Sequence, residues 1–185
     1  MTTTRTPIST AAAWRLDDIK QRARITFDDD DAGLAMQGDT AAAEIEAHCG
    51  LALLAQTVTV TLQAWCNRIP LPIGPFYAEG LADHPITVEL VNEAGTRLAH
   101  PAGWWIEGGR YPVLHLTAPA HGAAIIISYP AGYGMEAGSI PADLQLAITD
   151  HAAMMYDVRG QDDEAVQGLS LAAARIAARH RKVAV

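Results

Sequence analysis

The chain reads as an α+β protein: a bundle of two N-terminal and further C-terminal helices, with a small antiparallel β-module inserted between them. Three observations predict this. Apolar residues recur at helical spacing up to about residue 50. Between Gln56 and Tyr129 they alternate with polar ones or run in short β-branched clusters. After Pro141 the helical period returns. A length of 185 residues suffices for one good core, or one core with an inserted module. The expected division is a flexible N-terminus over 1–13, a helical domain over 14–55 and 139–185, and the β-module over 56–134.

Residues 1–13 are rich in Thr, Ala and Ser, which suggests a mobile leader. Leu16, Ile19 and Ala23 then share a helical face, with Asp17 and Asp18 in the first turn, where carboxylates suit the helix dipole. A second helix follows the run Asp28–Asp31. It places Leu34, Gly38, Ala41, Ile45 and Cys49 on one face, and Gly50 suits its C-terminal cap. Gly33 and Gly38 each weaken that helix by about 1 kcal/mol against alanine, so it depends on tertiary packing. From Gln56, Val58, Val60 and Leu62 alternate with threonines as in a half-buried strand. Further strands are expected at Ile86–Val91, Trp104–Glu107, Val113–Leu116 and Ala123–Tyr129, divided by Asn- and Gly-containing turns. Such short, closely spaced strands suggest a small barrel or sandwich.

Pro141 suits the first turn of the next helix, and Asp143 its positive end. Leu144, Ala147, Ile148, His151 and Met155 form one face, yet Leu146, Ala153 and Met154 make the other apolar too. A helix apolar nearly all round is covered on more than one side, and a neighbouring subunit is the natural cover. A last helix is expected from about Asp162 to Arg181. Its start is acidic, its end is basic, and Val166, Leu169, Ala173 and Ile176 form a narrow apolar stripe.

Composition narrows the function. With 50% hydrophobic and 18% charged residues the chain is globular. A net charge of −8 argues against a general nucleic-acid binder, which carries a basic stripe. Two cysteines, Cys49 and Cys66, make no disulfide framework or metal spacing, so free thiols in a reducing cytoplasm are expected. The first residues lack the apolar core of a signal peptide, and no apolar run approaches the roughly 20 residues that span a bilayer. No membrane partner is expected.

Candidate chemistry is sparse. Asp28–Asp31 offer hard oxygen ligands, but consecutive carboxylates do not converge on one ion, and an acidic helix start explains them. His84, His100, His115 and His121 fall in the β-module without ligand spacing and read as surface or loop residues. His151, on a buried helix face, reads as a hydrogen-bonded core or interface residue. Gly132, Gly134 and Gly138 match no phosphate-binding fingerprint and read as a bend. Trp104 and Trp105, with Tyr111, make either an aromatic platform for a sugar or peptide or a subunit contact, one indole turning inward and the other out. Arg175, Arg179, Arg181 and Lys182 are the one concentrated basic cluster. They read equally as a solvated helix end or as a docking point for an acidic partner or DNA phosphate. No catalytic residue, metal or cofactor is expected, and no enzymatic activity.

One segment carries more. From Ile125 to Gln161 an apolar strand runs into Tyr129-Pro130-Ala131-Gly132-Tyr133-Gly134, then Ile140-Pro141-Ala142-Asp143-Leu144, then a helix closed by Tyr156-Asp157-Val158-Arg159. This order resembles the small head–tail connector (adaptor) proteins of tailed bacteriophages and gene transfer agents, with their Y-x-A-G-Y-G, [IV]-P-x-x-L and Y-x-x-R segments. The likeness extends to Leu16-Asp17-Asp18-Ile19-Lys20, to the acidic run before helix two, to Glu46, Gly50 and Leu53 as E-x-x-x-G-x-x-L, and to Gln56-Thr57. It covers about residues 14–161. Gly38 departs from it, standing where the family is usually apolar, and the basic helix after Gln161 matches no firm family pattern.

The resemblance implies a structural adaptor at the head–tail junction of a particle assembled in the bacterial cytoplasm. Its members form rings, commonly of twelve subunits, beneath the portal protein. They extend the DNA channel and carry the tail stopper or terminator, and DNA passes without sequence-specific binding. In these terms Arg175, Arg179, Arg181 and Lys182 are portal or DNA contacts, and Trp104, Trp105, Leu146, Met154 and Tyr156 are subunit-interface residues. The helix after Gln161 is expected to be dispensable for the fold. The rival reading is a sugar- or peptide-binding β-module of a tail or baseplate component. A small metal-dependent enzyme ranks last, since ligand spacings are absent.

Overall fold

The computed structural model describes residues 1–101, 103–119, 121–158 and 168–181. The chain divides into two compact units: Met1–Ser9 with Leu54–Tyr133, and Thr10–Leu53 with Gly134–Val185. Both are assembled from stretches distant in sequence.

The first unit is β-rich. Its strands are β1 (Thr2–Pro7), β2 (Gln56–Leu62), β3 (Arg68–Pro70), β4 (Thr87–Val91), β5 (Arg97–Ala99), β6 (Trp104–Glu107), β7 (Val113–Leu116) and β8 (Ala124–Ala131). They form two antiparallel sheets, ordered β1-β2-β8-β4-β5 and β3-β7-β6. β8 lies at the centre of the larger sheet, which explains its run of consecutive apolar residues. Val60, Ile127 and Val88 form one cross-strand row, with Val58 opposite Tyr129 in the next, and all five side chains are buried. The opposite face carries the threonines of β2, where the Thr59 and Ser128 hydroxyls bond at 2.8 Å. Tyr129 is buried with its hydroxyl donating to Ile73 O (2.9 Å), and that burial pushes its pKa well above the ordinary value. The smaller sheet turns Leu114 and Ile69 inward.

The N-terminus differs from the sequence expectation. Residues 2–7 are not flexible: they form β1, an edge strand in register with β2 from Thr2 opposite Thr61 to Pro7 opposite Gln56. The Ile8 and Ser9 amides both reach Ala55 O at 2.9 Å, fixing the strand's exit. β-branched threonine favours a pleated edge, and Pro7 is tolerated where the strand ends. β3 and β5, of three residues each, lie outside the strands that the sequence predicts.

The second unit is helical, with α1 (Leu16–Ala23), α2 (Asp31–Cys49), α3 (Ala142–Asp157) and α4 (Leu171–His180). α3 packs on the other three, and α2 also meets α1 and α4. Ile19, Leu34, Ile45, Leu144, Ile148 and Ile176 fill the core between alanines that let the helices approach closely. The last helix is shorter than expected. Gly168 has a positive φ (154°), Ser170 is not helical (ψ 154°), and Ser170 caps α4 by accepting the Ala173 amide (3.2 Å), so no helix runs continuously from Asp162. The expected start at Asp162, with Val166, lies outside the described residues.

Gly38 has a local cause. A Cβ there would stand 2.6–2.9 Å from the Trp14 indole, which lies against α2 and donates to Asp39 Oδ1 at 2.8 Å. Gly38→Ala should therefore destabilise the unit by about 1 kcal/mol: overpacking of roughly 1–3 kcal/mol outweighs about 1 kcal/mol of helix propensity. In a Trp14→Ala background the same change should stabilise by about 1 kcal/mol. Urea midpoints of the four proteins check the reversal of sign, and equal effects in both backgrounds would remove the Trp14 explanation.

Candidate assembly surfaces

In the helical unit the short sequence motifs turn out to be joints. Lys20 at the end of the first motif bonds Asp28 (2.5 Å) and Asp31 (2.7 Å) of the acidic run, and these hydrogen bonds hold its ammonium above its ordinary pKa. The Tyr156 hydroxyl donates to Asp30 at 2.6 Å, fastening the end of α3 to the start of α2. The acidic run is thus engaged inside the unit. Gly50 ends α2 in the left-handed conformation, and the Glu46 carboxylate accepts the Leu53 amide at 2.6 Å. Asp143 accepts the Leu144 amide (2.9 Å) at the start of α3 and bonds His180 (2.7 Å) at the end of α4. Burial pushes the Asp143 carboxyl up, but the His180 hydrogen bond and charge, the Leu144 amide and nearby Arg179 outweigh it and hold the pKa low.

A polar network that sequence reasoning missed ties all four helices. Arg22 of α1 donates from Nε and Nη2 to one oxygen, Asp150 Oδ1 of α3, and Asp150 Oδ2 accepts from the Ser170 hydroxyl at 2.7 Å. The adjacent His151 accepts the Ser170 amide on Nδ1 (3.2 Å) and meets Glu44 of α2 through Nε2 (2.7 Å). The acceptor role at Nδ1 places the ring proton on Nε2, facing the carboxylate. These partners stand 107–128 residues apart for the pairs Glu44–His151 and Arg22–Asp150, so no local pattern announces them.

The expected surface residues fall into separate places. Leu146 is 52% exposed on α3, Met154 is half-buried, and Tyr156 is half-buried with its hydroxyl engaged by Asp30. Arg175 and Arg179 are exposed one turn apart on α4 with exposed Arg181 beyond, while Lys182 lies outside the described residues. Arg159, the end of the Tyr156 motif, lies outside them too. α4 buries Ala173, Ile176 and Ala177, so it belongs to the helical core. This corrects the expectation that the chain after Gln161 is dispensable for the fold.

In the β unit, Trp104 is half-buried and Trp105 is 52% exposed, as alternation along β6 requires. Trp105 stacks on His115 across the strands, with centroids 4.0 Å apart and planes 3° from parallel. His115 lies 3.2 Å from Glu107, and Arg68 continues the same cross-strand row. Tyr111 is exposed under the Arg110 guanidinium, 5.7 Å from its centroid. His100, expected at the surface or in a loop, lies in the loop after β5 and is buried beside β4. Among the described residues no three His, Cys, Asp or Glu side chains gather as metal ligands, and no helix is long and apolar enough to cross a membrane.

Among the described residues, the clefts open to solvent include two of about equal size. One, of about 500 Å³, runs between α1 and α3 beside Leu146 and is lined by Arg22 and Arg24. The other, of about 580 Å³, lies in the β unit beside Trp65, Glu93 and His121. Neither places a nucleophile against a base. The surface offers apolar and aromatic contact more than chemistry.

No family model and no curated protein sequence matches this chain. Solved structures do. A chain in the neck of an empty gene transfer agent (GTA) particle, computed with C6 symmetry, is 24% identical with a TM-score of 0.79. A chain of the virion of the native GTA particle is 22% identical with a TM-score of 0.78, and one in the neck of the native GTA particle, computed with C12 symmetry, is 23% identical with a TM-score of 0.77. Each match covers 100% of this chain and 97% of the other. From end to end, the chain has the fold of these particle chains.

Proposed function

We propose that the chain is a structural head–tail adaptor of a GTA or tailed-phage particle. It forms a ring below the portal, extends the DNA channel and joins the capsid to the tail. The observation that carries this is the full-length fold match to GTA neck chains at TM-scores of 0.77 and 0.79, in necks computed with C12 and C6 symmetry. The same order of short motifs supports it from the sequence. A ring subunit presents two different contact faces, and exposed Leu146 and Trp105 suit such faces. A net charge of −8 suits passage of duplex DNA, which carries one negative charge per ~1.7 Å and is held back by a strongly basic lumen. The partners are further copies of the chain, commonly twelve in such rings, the portal protein, and a tail stopper or terminator. The role is not enzymatic and takes no cofactor. Assembly occurs in the bacterial cytoplasm.

Arg175, Arg179 and Arg181 are the residues assigned to portal contact. Arg175→Glu should weaken portal binding about tenfold without lowering the melting temperature, since that side chain is exposed on α4. Electron microscopy of the chain with its portal should show a coaxial ring. A chain that never joins the portal sinks the adaptor reading. The sugar- or peptide-binding rival draws on the exposed indole of Trp105, and glycan retention lost in Trp105→Ala would favour it.

A further inference from the structure

We infer that neighbouring copies of this chain meet through the β unit, the tip of the β6–β7 hairpin entering the Trp65 cleft of the next copy, where Arg110 pairs with Glu93. This rests on the ring reading and names two surfaces that would close the ring.

The hairpin tip carries an orphaned charge. Arg110 Nε and Nη2 are both buried, and neither has an acceptor among the described residues. These nitrogens form one side of the guanidinium, a parallel pair of donors that fits the two oxygens of a carboxylate. Leaving such a fork without an acceptor costs free energy that a carboxylate returns. The backbone on either side of Arg110 is held, with Phe76 N donating to Gly109 O (2.8 Å) and Leu71 N to Pro112 O (2.9 Å). Only the half-buried side chain has to turn for the fork to reach a partner. Exposed Tyr111 lies under the guanidinium, and exposed Trp105 stands on the same hairpin. Arg, Tyr and Trp are the residue types that most often anchor protein interfaces. The hairpin's own carboxylate, Glu107, is turned to His115 at 3.2 Å.

The cleft holds the complement. Gln63, Trp65, Glu93 and His121 are in its lining, and its volume of about 580 Å³ admits a tyrosine ring with a guanidinium beside it. Glu93 is the lining's carboxylate, exposed in the turn after β4 and without a hydrogen bond or ion pair among the described residues. His121 is the other titratable group there. The half-buried Trp65 indole offers an apolar wall to Tyr111, and an indole face also attracts a guanidinium.

Tip and cleft lie at opposite ends of the β unit. Gly109 bonds Phe76, and Phe76 bridges Ala131 at the end of β8. The cleft surrounds the start of β8, where Leu62 stands opposite Ile125 and Val91 opposite Ala124, and the chain runs on from them to Gln63 and Glu93. The strand between holds the two ends roughly 24 Å apart, at about 3.4 Å per residue. Each such contact leaves a tip free on one copy and a cleft free on the other, as a closing head-to-tail ring requires.

Sedimentation velocity and native mass spectrometry of the full chain, alone and with the portal, test the contact. Glu93→Arg and Arg110→Glu each set like charges against one another, and each should need about tenfold more protein than wild type to assemble. An equimolar mixture of the two should assemble as wild type does, with copies alternating one to one, because every tip then meets a cleft of opposite charge. The double variant should recover in the same way on its own. If Arg110→Glu does not fold, Arg110→Gln replaces it: it should weaken assembly of the wild-type chain and improve that of Glu93→Arg. Single variants that assemble as wild type does, or defects that neither mixing nor the second substitution relieves, would overturn this contact and leave the ring reading standing. A wild-type chain that stays monomeric at every concentration, alone and with the portal, would end both.

Discussion

Gly132→Ala should cost the β unit roughly 3–5 kcal/mol, enough to leave little soluble protein at 37 °C. Gly132 follows β8 with φ at 138°, where side chains are strained by about 1–3 kcal/mol. A Cβ would also lie 2.5 Å from the Leu54 carbonyl oxygen and 2.7 Å from the Ala55 nitrogen. These are backbone atoms and cannot rotate aside, so overpacking adds a further 1–3 kcal/mol or so. The displaced stretch feeds β2, and Ala55 O also receives the Ile8 and Ser9 amides, so the damage should spread to β1. Urea denaturation of the variant is the measurement, and a loss under about 1 kcal/mol would show that the close approach is not rigid.

His151→Ala should cost the helical unit about 3–5 kcal/mol. The ring is buried, so its removal leaves a cavity, and the buried Ser170 amide loses its side-chain acceptor. Glu44→Ala should cost under about 1 kcal/mol, because that carboxylate is half exposed and water entering its place can accept the imidazole proton. The contrast separates the two roles of the ring. Equal losses would mean that the pair with Glu44, not the support of the α4 start, is what matters.

The helices and longer strands were legible because each repeats a period over many residues. Leu34, Gly38, Ala41, Ile45 and Cys49 all point into the core as their spacing requires. Gly50 and Pro141 mark helix ends by local chemistry. β1 was missed because an edge strand without buried side chains shows no alternation, and threonine at a terminus looks like loop. β3 and β5 are too short for any period. The network of Arg22, Asp150, His151, Ser170 and Glu44 was invisible for another reason: each bond joins groups that meet only after the fold exists. Trp14 over Gly38 is the same kind of fact. An apparently weak helix position is a seat for an indole 24 residues earlier in the chain.

The discontinuity of both units has a consequence for synthesis. A nascent chain that has released α1 and α2 holds faces whose cover, α3 and α4, is still untranslated, since Asp30 awaits Tyr156 across 126 residues and Cys49 awaits Ala177 across 128. The β unit closes earlier, once β8 emerges to sit between β2 and β4. Completion of the helical unit is thus deferred until α4 has emerged, with α1 and α2 exposed to proteases and chaperones until then. Any truncation before α4 should therefore be cleared rather than accumulate, a safeguard against incomplete copies entering an assembly.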